Sequence, residues 1–207
     1  MKVGDMTEPA ESEPVAVTDR GVALLSLIRN RRSIGKVTDV APERDLIWTM
    51  LEAATWAPNH HLTEPWRFFV LEGEARNRLG AVMGGIAAGR EPNPEKRGAV
   101  AASAAVKTLR APFVIAVAVE PSPDIPEIEE IAATSAAVQN MLLAAEALGL
   151  AAMWRSGWMC FEPEIREHFG LSDRGRMLGF VYVGYPAMAP PQRSRRPVAD
   201  VTVWQDS

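Results

Sequence analysis

Leu24, Leu25 and Ile28 fall at helical spacing after Asp19, a residue suited to a helix N-terminus, so the pattern predicts a helix that runs into Arg29-Asn30-Arg31-Arg32-Ser33. A second apolar set, Leu46, Ile47, Met50, Leu51 and Ala54, predicts a helix that opens at Pro42 and is stopped by Pro58. Trp66–Leu71 reads as a strand, with Trp66, Phe68 and Val70 alternating toward a core. Two Ala-rich helical stretches follow, and Pro92 and Pro94 between them forbid one continuous helix. Phe113–Val119 is apolar at every position, as in a strand covered on both faces. A long helix from about Ile128 to Leu148 ends at Gly149, Leu150–Trp154 forms a short strand, and a short helix has Pro163 near its start and Gly170 after its end. Met177–Gly184 is the last strand, ahead of an extended Pro- and Arg-rich tail. The predicted order is α α β α α β α β α β, helices layered on a sheet. Two helices precede the first strand, so the chain does not open as a simple βαβ unit, and no repeat or linker divides it.

Composition narrows this picture. The 207 residues suit one domain with a substantial core, and 47% apolar with 23% charged residues is the balance of a soluble globular protein. Acids outnumber bases by 26 to 22, a net charge of −4, which argues against broad electrostatic binding to nucleic acid. A single cysteine, Cys160, excludes an internal disulfide framework and suits a reducing cytoplasm. Residues 1–20 are polar and acidic, without the apolar run of a signal peptide, and read as a mobile tail. The uncharged stretch Ile131–Ala145 is shorter than the roughly 20 apolar residues that span a bilayer, so it reads as a buried helix and no membrane span is expected.

Several chemistries lack their signatures. Gly84–Gly89 (GGIAAG) has the wrong spacing for a dinucleotide fingerprint and lies in a helical region. There is no P-loop, no GxSxG elbow and no zinc-type Cys/His spacing; His60 and His61 are adjacent and His168 stands far from them. Cys160 has no accompanying signature and reads as a core or surface thiol.

Three stretches carry information. Arg31, Arg32 and Ser33 are either a cationic helix C-terminus, favourable with the macrodipole, or an anion clamp of two guanidiniums and a hydroxyl. Trp154-Arg155-Ser156-Gly157 follows a short strand; it is either a plain turn or a set suited to a planar ligand with polar edges, offering a flat ring, a cation and free backbone N–H groups. His60 stands in a Pro-bounded loop, where a histidine is solvated or functional.

Taken in order, RRS, then APNH with PWRFFVLEG, then APFVIAV, then WRSG, then GFVYVGYP resemble the nitroreductase-like flavoproteins, most of all their compact bacterial NAD(P)H nitroreductase branch. The resemblance covers about Val22 to Pro186. It implies an α+β fold with a mixed central sheet flanked by helices, built as an intertwined homodimer with FMN at the subunit interface. The implied layout is an acidic tail over residues 1–20, the nitroreductase-like domain over 21–186, and a C-terminal tail over 187–207 that packs on the partner subunit. Residues matching Arg31, Arg32 and Ser33 hold the FMN phosphate and ribityl chain in the family. Those matching Trp56 and His60 reach the flavin from the other subunit, and Trp56 is a departure, an aromatic at that place. Trp154, Arg155 and Ser156 match the segment along the isoalloxazine edge near N5 and O4. Among Arg193, Arg195 and Arg196, the resemblance points to Arg195 as a further phosphate contact. The implied reaction is a ping-pong hydride transfer from NAD(P)H to a small-molecule acceptor such as a nitroaromatic or quinone. The flavin carries that chemistry, so no catalytic side chain and no metal is assigned. Dehalogenation, dehydrogenation or flavin breakdown on the same fold, and a non-catalytic flavin-binding dimer, are the alternatives.

Overall fold

The structure, a computed structural model, describes residues 17–205. It divides into two compact units, one ending at Asn30 and the other beginning at Arg31. The acidic tail expected over residues 1–20 lies outside the described residues up to position 16, and Asp19 and Arg20 already belong to a helix.

In the first unit, α1 spans Asp19–Asn30 and buries no residue. Thr18, not Asp19, supplies the cap: its Oγ1 accepts the Gly21 N–H at 3.2 Å. Asp19 instead occupies the first turn, where a negative charge suits the helix dipole. The apolar residues that define the periodicity, Leu24, Leu25 and Ile28, are each about half exposed.

The second unit holds α2 (Arg44–Thr55), β1 (Trp66–Leu71), α3 (Glu74–Arg90), α4 (Pro94–Ala105), β2 (Phe113–Val119), α5 (Glu127–Ala147), β3 (Ala151–Arg155), α6 (Pro163–His168) and β4 (Arg176–Gly184). With α1 this is the element order read from the apolar pattern. Helix α2 starts later than Pro42 because the backbone is still extended at Glu43. It stops at Thr55, before the residue that Pro58 restricts. In β1, Trp66 and Phe68 join the core, but Val70 is 41% exposed and belongs to neither apolar cluster, because β1 is an outer strand.

The sheet order is β1-β2-β4-β3, and all three ladders are antiparallel. Central β2 is buried at every position, which is why it is apolar throughout. Its odd residues Phe113, Ile115 and Val117 face α2 and α5 through Met50, Ala54, Val138 and Met141. Its even residues Val114, Ala116 and Ala118 face α3 through Leu79, Met83 and Ile86. Helix α4 rides on α3 where side chains are smallest. A Cβ at Gly80 would lie 2.6 Å from the Ala105 carbonyl oxygen, and one at Gly84 3.0 Å from that of Ala101. Asn93 caps α4 by accepting the Glu95 N–H at 3.0 Å, with Pro94 as first helical residue.

Two features shape the site. Between Val117 and Ala118 the β2–β4 register slips, leaving Leu178 unpaired and Gly179 at φ +139°. The Leu178 carbonyl accepts the Trp154 indole N–H at 3.1 Å. Residues 33–38 form a second, irregular edge. Ser33 makes a parallel bridge to Ala152, with the Ile34 N–H bonded to the Ala152 carbonyl at 3.3 Å, and Val37 bridges Pro186 in antiparallel sense. Ser33 thus supplies the only parallel pairing among the described residues.

Candidate functional site

The sharp turn after β3 opens a cavity of about 480 Å³, within the usual range for a small-molecule or cofactor site. Its floor is the α3-facing side of the sheet, Phe180 and Tyr182, with Met83 from α3. One wall is Met153 to Cys160, and the other is formed by Lys107 and Arg110 on the turn before β2. Three cations, Lys107, Arg110 and Arg155, line the cavity, and no carboxylate among the described residues does. In a chain of net charge −4 that is a local concentration of positive potential suited to an anion.

The sequence accounts for this geometry locally. Gly157 sits at φ +147°, a conformation that L side chains avoid, and no atom lies within 4 Å of where its Cβ would be, so the Ser156–Gly157 backbone borders open space. Arg155 places its guanidinium 5.7 Å from the centroid of the Tyr182 ring. Burial raises the Tyr182 pKa, and Arg155 and Arg110 oppose that shift, so the phenol stays protonated at neutral pH. Cys160, against the same wall, has its thiol pushed from 9.0 to about 11 by burial, so it is no thiolate nucleophile.

Segment 31–35 lies against β3, next to the cavity but not among the residues that line it. A Cβ at Gly35 would lie 2.8 Å from the Met153 sulfur and 2.9 Å from a guanidinium nitrogen of Arg155, so the segment runs close against two side chains that line the cavity. Two residues earlier Ser33 is bridged to Ala152. The RRS and WRSG stretches, about 120 residues apart in sequence, are therefore neighbours in one unit. Arg31 and Arg32 differ in their surroundings. Arg32 donates from Nε to the Pro191 carbonyl at 3.2 Å and from Nη1 to the Arg31 carbonyl at 3.0 Å. Arg31 Nη1 is buried and has no hydrogen-bond partner among the described residues. A buried guanidinium nitrogen without a partner is costly unless a ligand completes it.

Trp154 lines the cavity, but its indole N–H is spent on the Leu178 carbonyl, so it also holds the turn in place. Of the predicted site residues only Trp154, Arg155 and Ser156 line the cavity; Arg31, Arg32, Ser33, Trp56, His60 and Arg195 do not. Trp56 is 81% exposed at the end of α2. His60 pairs through Nδ1 with Glu129 Oε2 at 2.7 Å, in a loop where His61, Leu62 and Glu64 all have left-handed backbones. Arg195 is exposed. Sequence reasoning missed Lys107, Arg110, Tyr182 and Trp158. The signal for the first two was two cations three residues apart immediately before the buried strand β2.

Comparison with known proteins agrees with this arrangement. The description "Nitroreductase family" matches residues 28–185. The chain belongs to the nitroreductase family. Among curated relatives, "Putative NAD(P)H nitroreductase YdjA" of Escherichia coli (strain K12) is 36% identical over 168 residues, 79% of this chain and 88% of the relative. The crystal structure of a nitroreductase-like family protein from Bacillus cereus is similar with a TM-score of 0.76 and 30% identity, covering 95% of this chain and 100% of the other. A "putative nitroreductase in complex with fmn" from Desulfovibrio desulfuricans gives a TM-score of 0.63 and 28% identity, covering 89% of this chain and 97% of that one. The family resemblance read from the five motifs and the α+β fold are both borne out. No helix among the described residues is long and apolar enough to cross a membrane.

Proposed function

We propose that this chain is an FMN-dependent oxidoreductase that passes electrons from NAD(P)H to nitroaromatic, quinone or similar acceptors by a ping-pong mechanism, working as a cytoplasmic homodimer. The observation that carries the reading is a cavity at the WRSG turn lined by three cations and, among the described residues, no acid, with the RRS segment paired to the strand that leads into that turn. The FMN found in a similar structure supports the choice of cofactor.

The residues present fit that group. Arg31, with an unpartnered buried nitrogen, and Ser33 would hold its phosphate and ribityl chain, while Arg32 fastens the C-terminal segment through Pro191. The open backbone at Ser156–Gly157 would meet the polar edge of the ring system. Arg155, Lys107 and Arg110 would supply positive potential that favours the more negative, reduced form of the group. FMN, when bound, takes two electrons from the nicotinamide and gives them to the acceptor; overall, a nitroarene, NAD(P)H and a proton become a nitrosoarene, NAD(P)+ and water. The chain's own contribution is binding, alignment and electrostatics, and no side chain need exchange a proton with substrate.

Exposed apolar residues support assembly into a dimer. Trp48, Trp56, Leu62 and Ile128 are each at least two-thirds exposed, and the His60–Glu129 pair ties the 60–62 turn to the start of α5. In a homodimer this face can bring Trp56 and His60 to the partner's cavity, and the C-terminal segment with Arg195 can do the same. The test is an anaerobic mixture of purified protein, FMN and NADPH or NADH. Bleaching of the yellow flavin, with colour restored by a nitroarene or quinone, is expected. Persistent colour with both nicotinamides would contradict the reading and favour a non-catalytic flavin-binding module.

A further inference from the structure

A second cavity, of about 390 Å³, adjoins the first and shares Lys107, Trp158 and Met159 with it. Its far wall is the face of α4 formed by Ala99, Val100 and Ala104, and Lys96 stands at its rim. The walls are apolar and built from small side chains, which leaves room for a ring. Both charged lining residues, Lys96 and Lys107, are cations, and neither forms an ion pair with the described residues. Trp158 separates the two spaces. It is 48% exposed, and it is held in place: the Arg90 guanidinium lies 4.4 Å from its ring centroid, and Arg90 is itself ion-paired with Glu162. A fixed, half-exposed indole between two cavities is a stacking surface for an aromatic ligand.

We propose that this second cavity is the acceptor subsite and selects aromatic oxidants that carry an anionic substituent, such as a carboxylate. The ring packs on Trp158 and Met159, the acidic group faces Lys96 and Lys107, and the reducible group points into the shared part of the two cavities. Charge complementarity decides the class: cations line the space, and among the described residues no acid is there to repel an anion. The inference rests on the flavoenzyme reading above and assigns the substrate class of that same site.

The experiment compares 4-nitrobenzoate with its neutral methyl ester as acceptors for the FMN-loaded enzyme. The wild type is expected to prefer the acid. Lys96→Met, which lies outside the first cavity, should raise the KM for the acid about fivefold, the size of an exposed charge pair, and leave that for the ester unchanged. Val100→Trp fills the subsite and should raise KM for both. Both variants should bind FMN and be bleached by NAD(P)H at the wild-type rate. The proposal is overturned if Lys96→Met leaves the acid-to-ester ratio unchanged, or if KM for the nicotinamide moves instead, which would assign the lysines to the electron donor. Absence of bleaching in the wild type would instead be failure of the flavoenzyme reading.

Discussion

Arg31 and Arg32 are adjacent in sequence and differ in what they hold. The Pro191 carbonyl engages Arg32, whereas Arg31 keeps a buried nitrogen with no hydrogen-bond partner among the described residues, which a ligand can complete. Arg31→Ala should therefore weaken FMN binding by about 1.5–3 kcal/mol, roughly ten- to a hundredfold, the worth of a charged hydrogen bond. Arg32→Ala should weaken FMN less and speed proteolysis near Pro191. Flavin fluorescence titration and limited trypsin digestion separate the two. Equal FMN affinity in Arg31→Ala and wild type would contradict the assignment. Cys160 gives a second prediction at this scale. Its folded pKa, about 11, is raised above the ordinary 9.0. The unfolded thiol therefore ionises first, and the stability this group contributes is complete below pH 9 and is lost as pH rises through 11. The loss is on the order of 2–3 kcal/mol. Urea melts from pH 8 to 11 should show that decline in the wild type and a flatter curve in Cys160→Ala.

At the scale of elements, the α3–α4 pair depends on Gly80 and Gly84, where backbone meets backbone. Gly80→Ala would drive a methyl against the Ala105 carbonyl, and α4 must shift to admit it. Helix propensity alone would make this change favourable by up to about 1 kcal/mol. A net loss of stability of about 1–3 kcal/mol is expected instead, and thermal denaturation measures the sign. The same pair shows why some elements were readable in advance and others were not. The order of ten helices and strands followed from local signals: Pro92 and Pro94 between α3 and α4, Gly149 after α5, and the unbroken apolar run of β2. The slip at Leu178 and the Ser33–Ala152 bridge left no local mark, because they are set by pairing between segments far apart in sequence. The candidate site was half visible for the same reason. RRS and WRSG stand out as motifs, whereas Lys107, Arg110 and Tyr182 acquire meaning only once β2 and β4 lie side by side.

For the whole molecule, the outstanding fact is how much large apolar surface a single copy leaves exposed. Trp56 stands ahead of a loop in which exposed Leu62 is one of three left-handed residues, and at the far end of the sequence Trp204 is 88% exposed. Isolated exposed apolar side chains need no explanation, but this concentration does. A second copy would cover such surface and bring His60 and Trp56 to a site from which they stand apart in one chain. Native mass spectrometry of the purified protein with FMN in slight excess tests that claim directly. The account predicts a species of two chains carrying two FMN molecules, with Arg31→Ala retaining the dimer but shedding flavin. A stable single chain that takes up no FMN would contradict it.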